Sequence, residues 1–478
     1  MKLALLLFPA ILGAGDLFID NVSHPGGLAP GGFAEIDGFG FDGTAKVTVG
    51  GLNAAVYTLN LNAGGEASIF IEIPGAVAVG SSTLVLTQGK DSVSWPVTIV
   101  AAAPQFAPNS QPPYFGLPLT PNLRIERSLP GGGFALWSCA AGDTAKAGDL
   151  VRAYMTGLGA TNPQVSSGAP APESPLASTV IQPKVLFGKS VAEVTESVLA
   201  PGQVGLYRVT FKIPDAFGLQ TLSVTAGGIT VETPLAVGNA IMALPQAAAP
   251  SSIQVATACG AHFLEAGATL IGDPKNPPQK LGAIGILVTD STGLHPGAGI
   301  LSATQDQIEY IVPEGTSTGT ADLAITIGAA TWRGTLDIRP YAPQVLQVAS
   351  AIAATYVVRV RNGVQTMEPT FRVAANGQYE AVPIDLGPEG DSVYLCVFGT
   401  GWRARGSVQD VTLQHSRNDG TYLTVPAIYA GAQGEYAGVD QANFLLPRSL
   451  AGTGNLFTFH TFLGVGGLMT GLPGLVYK

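Results

Sequence analysis

Apolar residues along this chain fall in short runs that alternate with polar positions and are separated by glycine and proline. One such run contains Leu84, Val85 and Leu86, and another extends from Val393 to Phe398. Alternation with a period of two places one face of a strand in a core. No long stretch free of glycine and proline keeps the 3.6-residue period of a helix, so the pattern predicts an all-β chain of many short strands.

One strand–loop–strand pattern occurs four times. In each copy an apolar strand ends at a proline, a glycine-containing loop follows, and an alternating strand comes next. Proline has no N–H to donate to a neighbouring strand, so it belongs at the end of a strand. The four segments run from Ile71 to Thr87, Phe211 to Thr225, Tyr310 to Thr326 and Phe444 to His460, with their prolines at Pro74, Pro214, Pro313 and Pro447.

The spacings between these prolines are alternately long and short, which indicates a two-domain unit that has been duplicated as A–B–A′–B′. Three sets of positions match at nearly constant offsets. Pro74, Gly80, Leu84 and Pro104 match Pro313, Gly319, Leu323 and Pro343 at 239 residues; Asp149, Gly157 and Gly159 match Asp391, Gly399 and Gly401 at 242; and Gly205, Phe211 and Pro214 match Gly438, Phe444 and Pro447 at 233.

The repeats predict four tandem β-sandwich domains, over residues 16–104, 145–238, 250–342 and 388–478. Gly50-Gly51 separates two alternating strands, as in a tight hairpin turn. The segments 105–144 and 345–387 are predicted to be extended bridges that form some strand. The second bridge carries an Asn362-Gly363 turn.

Charge excludes some classes of partner. Charged residues make up 12% of the chain and the net charge is −10. No run of lysine and arginine exists, so nucleic acid is not a predicted partner. The acidic balance also disfavours binding to anionic membrane surfaces.

The amino terminus predicts export. One lysine precedes an apolar run of about a dozen residues, the layout of a signal peptide, with cleavage expected near Gly15. Residues 1–15 are therefore expected to be a leader that the mature protein lacks. The alternative is a buried first strand. No later segment is long and apolar enough to cross a membrane, so the protein is expected to be secreted or held at the cell surface or in a periplasm.

The motifs resemble two known families. The A-type elements, with Gly-Phe-Gly-Phe at residues 38–41 and the strand that ends at Pro74, resemble IPT/TIG immunoglobulin-like domains. The B-type elements, above all the run from Tyr429 to Gly452, resemble the Solibacter uncharacterised C-terminal domain family. The resemblance implies export and four tandem immunoglobulin-like β-sandwiches, and it implies no activity.

Catalytic and metal-binding patterns are not recognisable. The five histidines lack metal-ligand spacing, and no Gly-x-Ser-x-Gly motif occurs. Asp37 and Asp42 are the nearest carboxylate pair on a predicted loop; turn geometry is the leading interpretation, with a calcium site or glycosidase chemistry as alternatives. No enzymatic activity, cofactor or metal is predicted.

Tryptophans and arginines suggest where a partner would bind. Trp95 and Trp332 lie in strand-like runs and are predicted to be core, whereas Trp137 and Trp402 flank B-type strands. Trp402, Arg403 and Arg405 follow a Gly-x-Gly turn and form the candidate binding loop, because tryptophan and arginine are enriched at binding hot spots. The alternative is that Trp402 packs in the core or between domains.

The resulting functional hypothesis is a non-catalytic secreted or cell-envelope protein that serves adhesion, binding or spacing, with a surface protein or glycan as partner. The alternative is an extracellular accessory protein that binds carbohydrate. Cys139, Cys259 and Cys396 fall in the B, A′ and B′ regions, one in each, so no disulfide within a domain is predicted and three free thiols are expected.

Overall fold

The computed structural model describes residues 17–24, 26–61, 66–109, 123–140, 144–244, 247–294, 296–416, 422–455 and 461–478. The predicted leader lies outside these residues. The described chain is all-β: its helical content is two single-turn 3-10 helices, η1 (Val408–Asp410) and η2 (Arg448–Leu450). Within these ranges no helix is long and apolar enough to span a membrane.

Residue contacts divide the chain between Gly238 and Asn239 into two compact units. This boundary agrees with the predicted duplication. Within the units, the strands of the main sheets fall in four consecutive regions, here called A (18–99), B (105–237), A′ (240–338) and B′ (344–477).

Region A forms one seven-stranded antiparallel set in the order β1-β2-β5-β4-β3-β6-β7. The start of β4 pairs with β3 and its remainder pairs with β5, so this strand passes from one layer to the other. Buried aliphatic side chains such as Ile36, Ile69 and Leu84 fill the space between the layers. The strands are β1 (Phe18–Ser23), β2 (Phe33–Phe39), β3 (Lys46–Val49), β4 (Leu52–Leu61), β5 (Glu66–Glu72), β6 (Gly80–Gln88) and β7 (Asp91–Ile99).

Region B has the same kind of layered arrangement. Its longest path is β10-β9-β11-β16-β15-β14-β17-β18, and β15 pairs with both β16 and β14. The strands are β8 (Gln105–Phe106), β9 (Ile125–Ser128), β10 (Phe134–Leu136), β11 (Leu150–Thr156), β12 (Thr161–Asn162), β13 (Ser178–Thr179), β14 (Lys184–Phe187), β15 (Ser190–Leu199), β16 (Tyr207–Lys212), β17 (Gly218–Ala226) and β18 (Ile229–Val237). Strands β8, β9 and β10 lie in the segment predicted as the first bridge and belong to this sheet.

The strand path of region A′ differs from that of region A, because pairing of its first strand with its last strand joins the two layers, rather than one strand that passes between them. Its path is β22-β25-β26-β21-β19-β28-β27-β24-β23. The strands are β19 (Ala240–Leu244), β20 (Ala247–Ala248), β21 (Ile253–Cys259), β22 (Leu270–Ile271), β23 (Lys280–Leu281), β24 (Ile284–Thr289), β25 (Gly299–Ala303), β26 (Gln307–Ile311), β27 (Gly319–Ile327) and β28 (Ala330–Ile338).

Region B′ contains two main sheets, β33-β32-β36-β40-β39 and β38-β37-β42-β43. Leu395 and Phe444 from the first sheet and Leu413 and Leu463 from the second belong to one buried core. The strands are β29 (Gln344–Val345), β30 (Gln347–Ala349), β31 (Ile352–Ala353), β32 (Thr355–Arg361), β33 (Val364–Pro369), β34 (Phe371–Val373), β35 (Tyr379–Ala381), β36 (Ser392–Thr400), β37 (Val411–Ser416), β38 (Tyr422–Pro426), β39 (Tyr429–Ala432), β40 (Asp440–Leu445), β41 (Gly454–Asn455), β42 (Thr461–Val465), β43 (Leu468–Gly471) and β44 (Val476–Tyr477).

The repeated prolines stand where the pattern predicts. Each lies two residues beyond the end of a strand: Pro74 after β5, Pro214 after β16, Pro313 after β26 and Pro447 after β40. In the first three copies a long strand follows the loop. In the fourth copy η2 and the short strand β41 follow, and part of the predicted strand lies outside the described residues.

Strand pairing corrects one of the sequence matches. In region B Val151 lies opposite Phe211, and in region B′ Leu395 lies opposite Phe444. The two phenylalanines match at an offset of 233 residues, so the residues opposite them, Val151 and Leu395, must also correspond. These two residues are 244 positions apart, and the predicted offset of 242 residues between β11 and β36 is therefore wrong by two. A shift of two leaves every side chain on the same face, and the alternating pattern therefore could not reveal it.

The cysteines differ in state. Cys396 is a buried free thiol in β36, and burial raises its pKa. Cys139 and Cys259 are disulfide-bonded, so the expectation of three free thiols is wrong. Sequence separation gave no information on where these two sulfur atoms lie.

Candidate functional site

The predicted binding loop begins where β36 ends, but its tryptophan points inward. Gly401 has a φ of +84°, which turns the chain back toward the sheet. Trp402 is 0% exposed and belongs to the core of region B′. The prediction that Trp402 contacts a partner is therefore corrected: the side chain fills the interior between the two sheets.

A buried carboxylate holds this loop in place. Oδ2 of Asp440 accepts from the backbone N–H of Trp402 at 2.8 Å, and Oδ1 accepts from Nε of Arg403 at 2.6 Å. The Asp440 side chain is 0% exposed and that of Arg403 is 26% exposed. Burial raises the pKa of Asp440, and the Arg403 charge opposes that effect. Arg405 donates to the carbonyl of Arg403, so the loop is built largely from internal contacts.

An open groove lies elsewhere in region B′, along the hairpin of β32 and β33. The Asn362-Gly363 turn that joins these strands has φ values of +51° and +76°, as the dipeptide predicts. The hairpin register places Arg359 opposite Thr366, and Arg361 opposite Val364. Alternate residues of a strand share one face, so these four side chains lie on the same side of the hairpin.

Arg359 is the fixed centre of the groove. Its side chain is 8% exposed. Nε donates to Oε1 of Glu368 at 2.5 Å, Nη2 to Oε2 of Glu368 at 2.9 Å, and Nη1 to Oδ2 of Asp391 at 2.8 Å. Nη2 also donates to the carbonyl of Asp385. These bonds, with Glu368 first among them, raise the pKa of Arg359 above its usual range, so the guanidinium keeps its charge.

Arg361 binds the same buried aspartate from the open side. Its Nε and Nη2 donate to Oδ1 and Oδ2 of Asp391 at 2.9 and 2.7 Å, a bidentate pair. The Arg361 side chain is 55% exposed, whereas that of Asp391 is 1% exposed. The hydrogen bonds from Arg361 lower the pKa of Asp391 to about 2, so the carboxylate is ionised at neutral pH.

The opposite wall of the groove is the segment 385–388. Arg448 donates to the carbonyls of Leu386 and Gly387, which fixes the backbone of that wall. Nζ of Lys478 lies 3.5 Å from Oδ2 of Asp385. The groove between the wall and the hairpin has a volume of about 710 Å³. It is lined by Arg359, Arg361, Asn362, Val364, Thr366, Glu368, Asp385, Gly387 and Pro388.

The first unit lacks these residues. When the register between β9 and β11 is extended beyond their last paired residues, Leu129 takes the position that Arg359 has in region B′. Ala147 takes the position of Asp391 in the same register. Sequence analysis missed the groove because it treated residues 345–387 as a bridge. Two arginines spaced by two residues before an Asn-Gly turn were the available signal.

The histidines that the structure describes have internal or surface roles. His415 is 2% exposed, with Nδ1 lying 3.0 Å from Oγ1 of Thr461 and Nε2 lying 3.4 Å from the hydroxyl of Tyr477. Burial lowers the pKa of His415 to about 4. The exposed His262 pairs with Asp306. His295 and His460 lie outside the described residues.

The two aspartates considered for calcium have different local roles. Oδ1 of Asp42 accepts from the backbone N–H and the hydroxyl of Thr44, as in a turn that an aspartate stabilises. Asp37 lies within β2 rather than on the predicted loop, and it accepts from the hydroxyl of Ser68 at 2.7 Å. Among the described residues, no group of three histidine, cysteine or acidic side chains is placed to hold a metal ion.

The remaining tryptophans are mostly interior. Trp332 is 3% exposed and donates to the carbonyl of Ala261, and Trp137 is 8% exposed and donates to that of Ala236. Trp95 is half-buried against the core of region A. The prediction of a core position is confirmed for Trp332 and is only partly met by Trp95.

A second set of polar contacts lies inside the first unit, where region A meets region B. Glu72 is 6% exposed and accepts from the hydroxyl of Tyr57 at 2.7 Å and the backbone N–H of Gly168 at 2.8 Å. Ser167 donates to the Glu72 carbonyl and accepts from the N–H of Ala55. Burial raises the pKa of Glu72. These contacts join the two regions.

The architecture defines a class: an all-β protein built from immunoglobulin-like β-sandwiches, with an open polar groove in the last region. No family model and no curated protein matches the chain. Solved structures give weak likenesses. One is the Bacteroides ovatus protein SGBP-B from a mixed-linkage glucan utilization locus, in complex with a mixed-linkage heptasaccharide, at 11% identity over 84% of this chain and 87% of that one, with a TM-score of 0.17.

Two further solved structures show likenesses that are equally weak. The Escherichia coli adhesin FdeC is 12% identical over 69% of this chain and 99% of that chain, with a TM-score of 0.16. The I9–I11 tandem of titin is 8% identical over 64% and 92%, with a TM-score of 0.15. Scores this low carry no argument about function.

Proposed function

We propose that this protein is a non-catalytic extracytoplasmic binding protein, in which pairs of immunoglobulin-like domains act as stiff units and the last domain binds a surface partner. The observation that carries the proposal is a closely packed contact between regions A and B, and an equivalent contact between regions A′ and B′. Both contacts use the same positions in the paired strands.

In the first unit, Phe33 and Glu72 are opposite one another on β2 and β5. A Cβ added to Gly205 would lie 2.7 Å from Cζ of Phe33 and 3.3 Å from the carboxyl carbon of Glu72. Tyr207, which is 1% exposed, donates to the carbonyl of Gly159 at 2.6 Å and lies against Gly31 of region A. Only glycine allows the two regions to approach this closely.

The second unit repeats the contact with apolar residues. Ile253 and Ile311 are opposite one another on β21 and β26, and a Cβ on Gly438 would lie 2.7 Å from Cγ1 of Ile253. The N–H of Ile253 donates to the hydroxyl of Thr400, which in turn donates to the carbonyl of Gly438. Glu72 in the first unit corresponds to Ile311 in the second unit, so the same close contact forms with a charged residue in one unit and an apolar residue in the other. This supports a mechanical role for each pair of domains, because the geometry is kept although the chemistry differs.

The ionisable groups also support a non-catalytic role. Two carboxylates with displaced pKa values are held by partners inside the fold: Glu72 by Tyr57 and Gly168, and Asp391 by two arginines. A general acid or base must reach a substrate atom directly or through one water molecule. Buried groups whose hydrogen-bonding capacity is used within the fold stabilise structure instead.

Family membership and location form part of the same proposal. The A-type and B-type motifs support IPT/TIG-like and Solibacter C-terminal-type domains, four in all, with the strands of 105–144 and 345–387 belonging to the B-type domains. The apolar run of residues 1–15 supports export and removal of a leader. The partner is a protein or glycan at the cell surface.

Carbohydrate binding is the second candidate, favoured by the groove of region B′. Donors and acceptors converge there on an open cleft of about 710 Å³, within the range of small-molecule sites. Exposed aromatic side chains also occur in region B′, namely Tyr379, Tyr422, Tyr429 and Tyr436.

The test uses the full purified chain on a glycan array and on a panel of extracellular proteins, with product analysis of every glycan tested. We expect binding to one class without turnover, and recovery of the protein outside the cytoplasm when it is expressed with residues 1–15. Cleavage of any glycan, or an intact leader on cytoplasmic material, would contradict the proposal.

A further inference from the structure

We infer that the groove of region B′ binds an uncharged oligosaccharide, with Arg361 and Thr366 as direct contacts. This inference rests on the proposed binding function and names its ligand class. It concerns residues on β32, β33 and the segment 385–388, away from the Trp402 loop.

The groove is preorganised. Arg359 is nearly buried and bonded on all three of its nitrogens, so it needs no reordering when a ligand arrives. Arg361 is held by a bidentate pair with Asp391, which leaves its Nη1 without a hydrogen bond within the described chain. A fixed polar side chain loses little entropy on binding, and therefore more of each new hydrogen bond appears as affinity.

Charge balance selects the ligand. Two guanidinium groups line the groove, and two carboxylates, Glu368 and Asp385, line it as well. Their side chains are 37% and 54% exposed, so the carboxylates face the same cleft as the exposed part of Arg361. The buried Asp391 neutralises Arg361 further. An anion would meet both carboxylates, whereas sugar hydroxyls both donate to carboxylates and accept from a guanidinium or an amide.

Shape and polarity disfavour a peptide. Extended peptides bind a sheet edge through the backbone and depend on pockets for alternate side chains. Of the groove residues, Val364 and Pro388 supply the main apolar side chains, and the 64% exposed Val364 forms no enclosed pocket. The polar lining suits a ligand that carries hydroxyl groups along its whole length.

The experiment is titration calorimetry on the full chain with neutral gluco-, manno- and xylo-hexasaccharides, and with hexagalacturonate as the anionic counterpart. We expect one neutral hexasaccharide to bind and hexagalacturonate to bind at least about tenfold more weakly. Affinity for the neutral ligand should change little between about 50 mM and about 500 mM NaCl, because salt screens charge–charge attraction only.

Variants locate the site. Thr366→Val removes one exposed hydroxyl with little change of shape, and Arg361→Ala removes the open guanidinium. Each should weaken binding, by roughly three- to tenfold for a neutral hydrogen bond and more for the charged one. Arg372→Ala is the matched control, because Arg372 is 71% exposed on β34 and pairs with Glu380 outside the groove. Thermal unfolding of each variant separates loss of a contact from loss of folding.

Unchanged affinity in Thr366→Val and Arg361→Ala would overturn the inference, as would binding of hexagalacturonate alone. Binding of extracellular proteins without any oligosaccharide would also overturn it, while leaving the proposed function intact. Hydrolysis of a bound glycan would instead contradict the proposed function.

Discussion

Nε of Arg403 lies 2.6 Å from Oδ1 of Asp440, a carboxylate whose side chain is fully buried. Asp440 corresponds to Tyr207 in the first unit, since Met155 faces Tyr207 on paired strands as Gly399 faces Asp440. One position therefore anchors the same loop by a hydroxyl in one copy and by a carboxylate in the other.

Asp440→Asn should lower the free energy of unfolding by about 3 kcal/mol, because it leaves the Arg403 charge without its partner. The change is measured by unfolding the full chain in urea, with tryptophan fluorescence as the signal. Asp337→Asn is the control, since the Arg339–Asp337 pair is 49% and 45% exposed at 2.7 Å and should contribute under about 1 kcal/mol. Equal, small effects from both variants would contradict the assigned role of Asp440.

Trp402→Ala should destabilise the protein by about 3–5 kcal/mol, since it empties a large interior volume. Trp402→Phe should cost less, because the indole Nε1 has no hydrogen-bond partner in the described structure to lose. Thermal unfolding measures both, and ligand binding below the transition should be retained. Normal stability with lost binding would restore the loop as a contact surface.

Gly438→Ala should weaken the contact of region A′ with region B′. The new Cβ would lie 2.7 Å from Ile253, and Gly438 has a φ of +76°. We expect a loss of about 2–4 kcal/mol from the crowding together with the backbone conformation. Gly434→Ala is the control, with a φ of +95° and open space around it. Faster proteolysis near residues 340–345 in Gly438→Ala, but not in Gly434→Ala, would support the contact. Equal stability and equal proteolysis of the two variants would contradict it.

Stability should fall as the pH is lowered below about 6.5, in part through His415. Its pKa is about 4 in the folded protein, against 6.5 when unfolded. Between these values the unfolded chain binds a proton that the folded chain excludes, so up to about 3 kcal/mol is lost on acidification and the loss levels off below pH 4. Urea unfolding across this range measures it. His415→Gln should have a smaller slope, and a slope equal to that of wild type would exclude this origin.

The sequence determined the secondary structure and the duplication. Alternating apolar residues, the four strand-ending prolines and the Asn362-Gly363 turn each act through local backbone geometry, which adjacent residues set by themselves. The boundary between the two units followed from the same repeats.

Only the tertiary structure decided where side chains meet. Trp402 follows a turn, yet it lies inside because Asp440, 38 residues later, draws its backbone inward. Arg359 and Asp391 are separated by 32 residues and meet because β32 and β36 pair. The two-residue shift between β11 and β36 could likewise be found only from strand pairing, because an alternating pattern looks the same after a shift of two residues. Hydrogen bonds across sheets depend on register and layer packing, and neither is encoded in any local stretch of sequence.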